Sequence, residues 1–158
     1  MNTATILKRF FVVILFAAIA SFIIYQKNKP TPTAINWQTL AQVKFSPTWY
    51  AAYKATVDVP VFADTLKKLN GQLVEITGFY IPMTINSDKC ALSKNPNSSC
   101  FFCGGGTIET IVMVNFKSKV MDFADDEVIT IKGKLVLDTS FNNFIYNLTD
   151  ANYVRSNK

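Results

Sequence analysis

No histidine occurs anywhere in the 158 residues. That absence removes Ser-His-Asp and Cys-His catalysis, histidine-ligated metals and haem with an axial histidine. Charge is scarce too, at 17% of residues against 49% hydrophobic, a balance that excludes a disordered chain. The formal net charge of +5 is unevenly spread: Lys8, Arg9, Lys27 and Lys29 lie near the N-terminus, and the remainder is close to +1. The pI of about 9.1 is thus a property of the N-terminal segment. Nucleic acid is not an expected partner. Cysteines number only three, too few for a disulfide framework. A chain of 17.7 kDa holds one ordinary domain and buries enough apolar surface to do without one.

What is present begins with an apolar run. Lys8-Arg9 precede Phe10 to Tyr25, uninterrupted by charge, and Gln26-Lys27-Asn28-Lys29 follow. Ile6 and Leu7 extend the run past the two cations, whose long side chains snorkel to an interface. Residues 1–26 are expected to be an uncleaved membrane anchor. A cleaved secretory signal, with Ala18-Ile19-Ala20 before Ser21, is the alternative, although Phe22-Ile23-Ile24-Tyr25 continues the run beyond it. No cysteine lies near the run for lipid attachment. A short N-terminal tail and a large C-terminal domain favour a single pass of the bacterial plasma membrane, with the domain extracytoplasmic, hence periplasmic. Residues 27–34, with Pro30-Thr31-Pro32-Thr33, read as a semi-rigid spacer, and 35–158 as the folded domain.

Within that domain, Trp37, Leu40, Val43 and Phe45 suggest a short amphipathic helix or turn. Ser46-Pro47 has the form of an N-cap with Pro at the first helical position, predicting a helix through Tyr53. Asp64 opens another, with Leu66 and Leu69 on one face and Asn70-Gly71 as its stop. From Leu73 onward the period changes to two, predicting strands over 73–81, 107–116, 128–137 and 144–154. Val74-Glu-Ile-Thr-Gly78 and Ile129-Thr-Ile-Lys-Gly133 echo each other. A glycine inside a strand marks a bulge or tight bend, which a small closed barrel needs. The expected fold is mainly β: a small antiparallel OB-like barrel preceded by short helices and an N-terminal transmembrane helix.

Chemistry, if local, belongs to Cys100-Phe101-Phe102-Cys103-Gly104-Gly105-Gly106, with Cys90 upstream. A Cys-x-x-Cys-Gly turn has the shape of a zinc knuckle; Cys90 would be a third ligand, and Asp88, Glu109 or water a fourth. A disulfide from Cys90 to Cys100 or Cys103 is equally compatible with an oxidising compartment, but leaves an odd thiol. A redox dithiol is the third reading, without the helix that lowers a thiol pKa in thioredoxin-like sites. Plain packing is the fourth. The polar stretch Ser93 to Ser99 is turn-forming, so the loop is expected to fold back over one mouth of the barrel, with Phe101 and Phe102 as its lid. The glycines carry no phosphate-loop signature. Asp125-Asp126-Glu127 reads as a solvated turn, and Phe141, Phe144, Tyr146 and Tyr153 as core.

Trp37-x-x-Leu40-x-x-Val43-x-Phe45, Pro60-x-Phe62, Val74-x-Ile76-x-Gly78-Phe79-x-Ile81-Pro82, the Cys-Phe-Phe-Cys-Gly-Gly run and Phe144-Ile145-Tyr146-x-Leu148-x-x-Ala151 form one pattern. It resembles an uncharacterised bacterial envelope family, a domain of unknown function of Bacteroidetes type. The resemblance spans residues 35–154, departs from the pattern at Gly106-Thr107-Ile108, and implies export and an OB-like barrel. It brings no catalytic residues. The expectation is a membrane-anchored envelope binding or accessory protein with an envelope protein partner, not an enzyme. The alternative is a thiol–disulfide or zinc-handling protein using the Cys-x-x-Cys loop.

Overall fold

The structure, a computed structural model, describes residues 14–15, 19–21, 30–52, 54–83, 88–118, 123–140 and 144–156. The chain divides into two units, Met1–Thr31 and Pro32–Lys158. In the first, residues 14–15 and 19–21 are helical and the rest of the apolar run lies outside the described residues. Among the described residues no helix is long and apolar enough to cross a membrane.

The second unit is mainly β. Strand β1 (Thr33–Ala34) is followed by helix α1 (Trp37–Leu40), β2 (Val43–Tyr50), β3 (Ala55–Phe62) and helix α2 (Asp64–Leu69). Then come β4 (Leu73–Pro82), β5 (Lys89–Ser93), β6 (Ile111–Phe116), β7 (Val128–Leu137) and β8 (Tyr146–Ser156). Five strands close a barrel in the order β4-β5-β6-β8-β7, with β7 returning to β4. The barrel is not wholly antiparallel, because β8 lies parallel to β6. The outer strand β1 is also parallel to β4.

The two echoing pentapeptides are each other's partners: Val74 faces Gly133, Ile76 faces Ile131 and Gly78 faces Ile129. Each glycine thus lies opposite the first apolar residue of the other motif. At Gly78–Phe79 strand β4 changes neighbours, since Phe79 is opposite both Val128 of β7 and Ser93 of β5.

Alternate residues of each strand point inward. Val74, Ile76, Cys90, Leu92, Val112, Val114, Ile129, Ile131, Leu135 and Leu148 fill the barrel. The elements before the barrel extend this core: Leu40, Phe62 and Leu66 are all buried in it. Asn36 caps α1 by accepting from Thr39 N at 2.9 Å. The buried Tyr146 hydroxyl donates to Leu40 O at the other end of that helix, 2.5 Å away.

Residues 46–52 are not helical, and Tyr53, the expected end of that helix, lies outside the described residues. Ser46 to Tyr50 belong to β2, which pairs with β3 over Val43↔Phe62 to Tyr50↔Ala55. The Ser-Pro signal is overruled by β-branched and aromatic residues on both strands. Proline is tolerated because in a two-stranded sheet each strand is an edge. This hairpin leaves Trp49 63% exposed.

Candidate functional site

The site is built on the outer face of β5, β6 and β8. Lys89 projects there from β5, Met113 and Asn115 from β6, Asn147 and Thr149 from β8, and together they line a cavity of about 640 Å³. Phe101, from the loop joining β5 to β6, and Phe144, from the loop joining β7 to β8, stand at its edge. Phe101, Phe102 and Phe144 pack mutually edge to face, with ring centroids 5.7 to 6.0 Å apart. Asn147 Nδ2 donates to Phe144 O at 2.7 Å and anchors that ring's backbone.

The loop from Lys94 to Thr110 is closed at its base, where Lys94 N donates to Thr110 O at 2.9 Å. Asp126, from the loop before β7, accepts from Asn97 N at 2.5 Å. Residues Asn97–Ser99 and Phe101–Cys103 form two 3₁₀ turns. Cys100 O accepts from both Cys103 N and Gly105 N, at 3.2 and 3.1 Å. Gly104 then takes φ of 78°, which a side chain resists. At Gly105 a Cβ would lie 2.7 Å from Ser99 O, so backbone approaches backbone only because no side chain intervenes. The glycine run serves this tight reversal.

Cys100 is fully buried, but not inside the barrel. It packs with Ile81, Ala91 and Ile111 in a second cluster, against which Phe101, Met113 and Phe144 lie. The aromatic loop therefore covers the outer wall of the sheet. The core residues contributed from outside the barrel strands are Leu40, Phe62, Leu66 and Ile145, and the Phe101–Phe102 pair expected as a lid is not among them. Phe102 remains 44% exposed.

The candidates singled out from sequence separate into three places. Cys90 is a β5 residue facing the barrel interior, and burial pushes its thiol up to about 12. Cys100 and Cys103 share one turn, with Cys103 exposed. Desolvation raises the Cys103 pKa, with smaller contributions from a hydrogen bond to the Cys100 side chain and from its charge. Glu109 lies instead on a second cavity of about 540 Å³, between the β2–β3 hairpin and the loop. After burial, its charge is the second cause that lifts the Tyr146 phenol above the usual range. Among the described residues no three His, Cys, Asp or Glu side chains are grouped to hold a metal ion. Gly78 and Gly133 lie on the barrel wall and do not line the groove. Tyr146 and Tyr153 pack in the barrel core, Phe144 packs on its outside, and Phe141 lies outside the described residues.

Sequence reasoning missed Lys89, Asn115, Asn147 and Thr149. Lys89 has no signal, since β5 shows no alternation; for Asn115, Asn147 and Thr149 the only signal is polarity alternating with apolar residues along β6 and β8. That places them on an outer face without saying which strands adjoin.

The chain matches no known family model, and no curated protein matches it in sequence. In three dimensions it is similar to a crystal structure of a DUF3299 family protein from Pseudomonas aeruginosa PAO1. The TM-score is 0.50 at 13% identity, covering 81% of this chain and 99% of that one. At that identity the likeness concerns the fold alone: a bacterial domain of uncharacterised role shares this architecture.

Proposed function

We propose that this chain is a membrane-anchored, extracytoplasmic accessory protein of the bacterial envelope that binds its ligand in the groove on β5, β6 and β8. The apolar run before a Pro-rich spacer supports the anchor. The observation that carries the binding reading is the position of the groove. A five-stranded Greek-key barrel of OB type uses the face of its second and third strands, here β5 and β6, to hold oligonucleotides or oligosaccharides. The lining selects between those ligands. It sets the Lys89 ammonium and the Asp138 carboxylate beside amide and hydroxyl side chains, whereas a nucleic-acid groove carries a track of positive charge. Asn115, Asn147 and Thr149 offer donors and acceptors to hydroxyls, and the Phe101 and Phe144 rings offer apolar surface to sugar faces. The ligand class is a saccharide.

The test is titration of the full chain in detergent with a neutral N-acetylated hexose oligomer, read by calorimetry. Asn115→Ala is expected to weaken binding about ten-fold, the scale of one lost hydrogen bond, and Trp49→Ala on the hairpin to leave it unchanged. Absence of saccharide binding, or equal losses in both variants, overturns the reading. Protease added to spheroplasts tests the topology: residues 27–158 are expected to be digested and the N-terminus protected. A protected domain refutes it.

Thiol–disulfide exchange or zinc handling at Cys100 and Cys103 is the competing function. A raised thiol pKa and the lack of a following helix count against an exchange catalyst.

A further inference from the structure

Three cysteines in an extracytoplasmic domain pose a pairing problem, and the barrel wall resolves it. Successive residues of a strand point to opposite faces. Cys90 points into the barrel core among Val112 and Val114, whereas Cys100 packs outside on Ala91, the next residue of the same strand. The sheet itself stands between those two sulfurs. Cys100 and Cys103, by contrast, are the first and last residues of one turn closed by Cys103 N donating to Cys100 O at 3.2 Å. Such a turn holds its ends within about 7 Å, inside the separation a disulfide spans.

We infer that Cys100 and Cys103 are a disulfide pair, that Cys90 remains a thiol inside the barrel, and that closing the bond fixes Phe101 and Phe102 against Phe144 as the wall of the groove. The occurrence of the bond in cells rests on the extracytoplasmic reading; the pairing does not. Cys103 is the exposed sulfur and attacks first. As thiolate it displaces one sulfur of a disulfide oxidant of the glutathione class, forming a mixed disulfide and releasing one thiol. Cys100, deprotonated in turn, attacks the Cys103 sulfur of that mixed disulfide and expels the second thiol. Two protein thiols and one oxidant disulfide become one protein disulfide and two small thiols. The pair thus loses two electrons and two protons, both taken up by the oxidant. Cys90 escapes because its thiol is buried and stays protonated at neutral pH.

The full chain in detergent is equilibrated with oxidised glutathione, treated with N-ethylmaleimide, digested and analysed by mass spectrometry. The expected product carries a bond between Cys100 and Cys103, with Cys90 alkylated only after denaturation. Oxidation is expected to slow proteolytic nicking between residues 97 and 106 by roughly ten-fold, and Cys103→Ser to abolish that protection. Cys90→Ala is expected to leave both the crosslink and the protection intact. Linkage of Cys90 to either partner, three free thiols after oxidation, or a dithiol that becomes oxidisable only after chelation of a bound metal overturns the pairing. In acid-quenched cells the oxidised pair is expected. A pair that closes in vitro but is reduced in cells upholds the pairing and overturns the extracytoplasmic placement instead.

Discussion

Replacing Gly78 by alanine tests whether the barrel turns its corner by close approach. The backbone there is not left-handed; the positive-φ glycines among the described residues are Gly71 and Gly104. What glycine provides at 78 is room. An added Cβ would lie 2.7 Å from Ser93 O, 2.8 Å from Trp37 Cζ2 and 2.9 Å from Leu92 Cγ. Ser93 O is backbone of the neighbouring strand, so that contact is relieved only by a shift of β4 against β5, and the other two by movement of Trp37 and Leu92. Overpacking of this kind costs about 1–3 kcal/mol. Trp37 is held by its Nε1 donating to Thr77 O at 2.9 Å, and moving the ring loses a bond of about 1 kcal/mol. The expected total is about 2–4 kcal/mol, which moves a urea midpoint by about 1–2 M at the slopes of domains this size. Gly133 is the internal control. Its nearest contacts would be 3.1 to 3.3 Å, so Gly133→Ala is expected to cost about 1 kcal/mol. Trp37→Phe removes the atom at 2.8 Å, and in that background Gly78→Ala should cost about 1 kcal/mol less than in the parent. Equal midpoints for parent and Gly78→Ala, or strict additivity with Trp37→Phe, would refute the reasoning.

Stability should fall in alkali through Cys90. The unfolded thiol ionises near 9.0 while the folded one is held to about 12, so the unfolded state loses its proton first and the contribution declines as pH rises between those values. The slope is about 1.4 kcal/mol per pH unit, and the stability gap between parent and Cys90→Ala, from urea curves at pH 8 to 11, should shrink accordingly. A constant gap would show that Cys90 titrates normally. Tyr146→Phe removes the donor to Leu40 O and should cost about 1–2 kcal/mol, with faster amide exchange over residues 37–42. Unchanged exchange there would mean that α1 is held by packing alone.

The barrel was most legible where pairing is written locally. Val74–Gly78 and Ile129–Gly133 show their period of two openly because apolar residues on the buried face alternate with Glu75, Thr77, Thr130 and Lys132, although Thr130 is itself buried. Strand β5 hid itself: Cys90 to Ser93 are buried on both faces, so no alternation betrays a strand, and Cys90 reads as part of a loop. The β2–β3 hairpin hid behind Ser46-Pro47, a helix-start signal whose meaning depends on a partner strand. The groove was least legible. Phe101 and Cys100 announce a special loop, but its floor draws on β5, β6 and β8, and the parallel β6–β8 neighbourhood follows from chain topology that no local pattern records.

That same neighbourhood sets the order in which the molecule can be put together. Strand β8 follows both in the chain yet lies between β6 and β7, so neither of those earlier strands has its final partner until β8 exists. Helix α1 waits as long, because Leu40 O accepts its hydrogen bond from Tyr146, 106 residues later. Contacts of such long sequence separation form slowly and close large loops. A chain made N-terminus first therefore keeps its earlier apolar strands unsealed until β8 has appeared, and until then it remains open enough to be threaded.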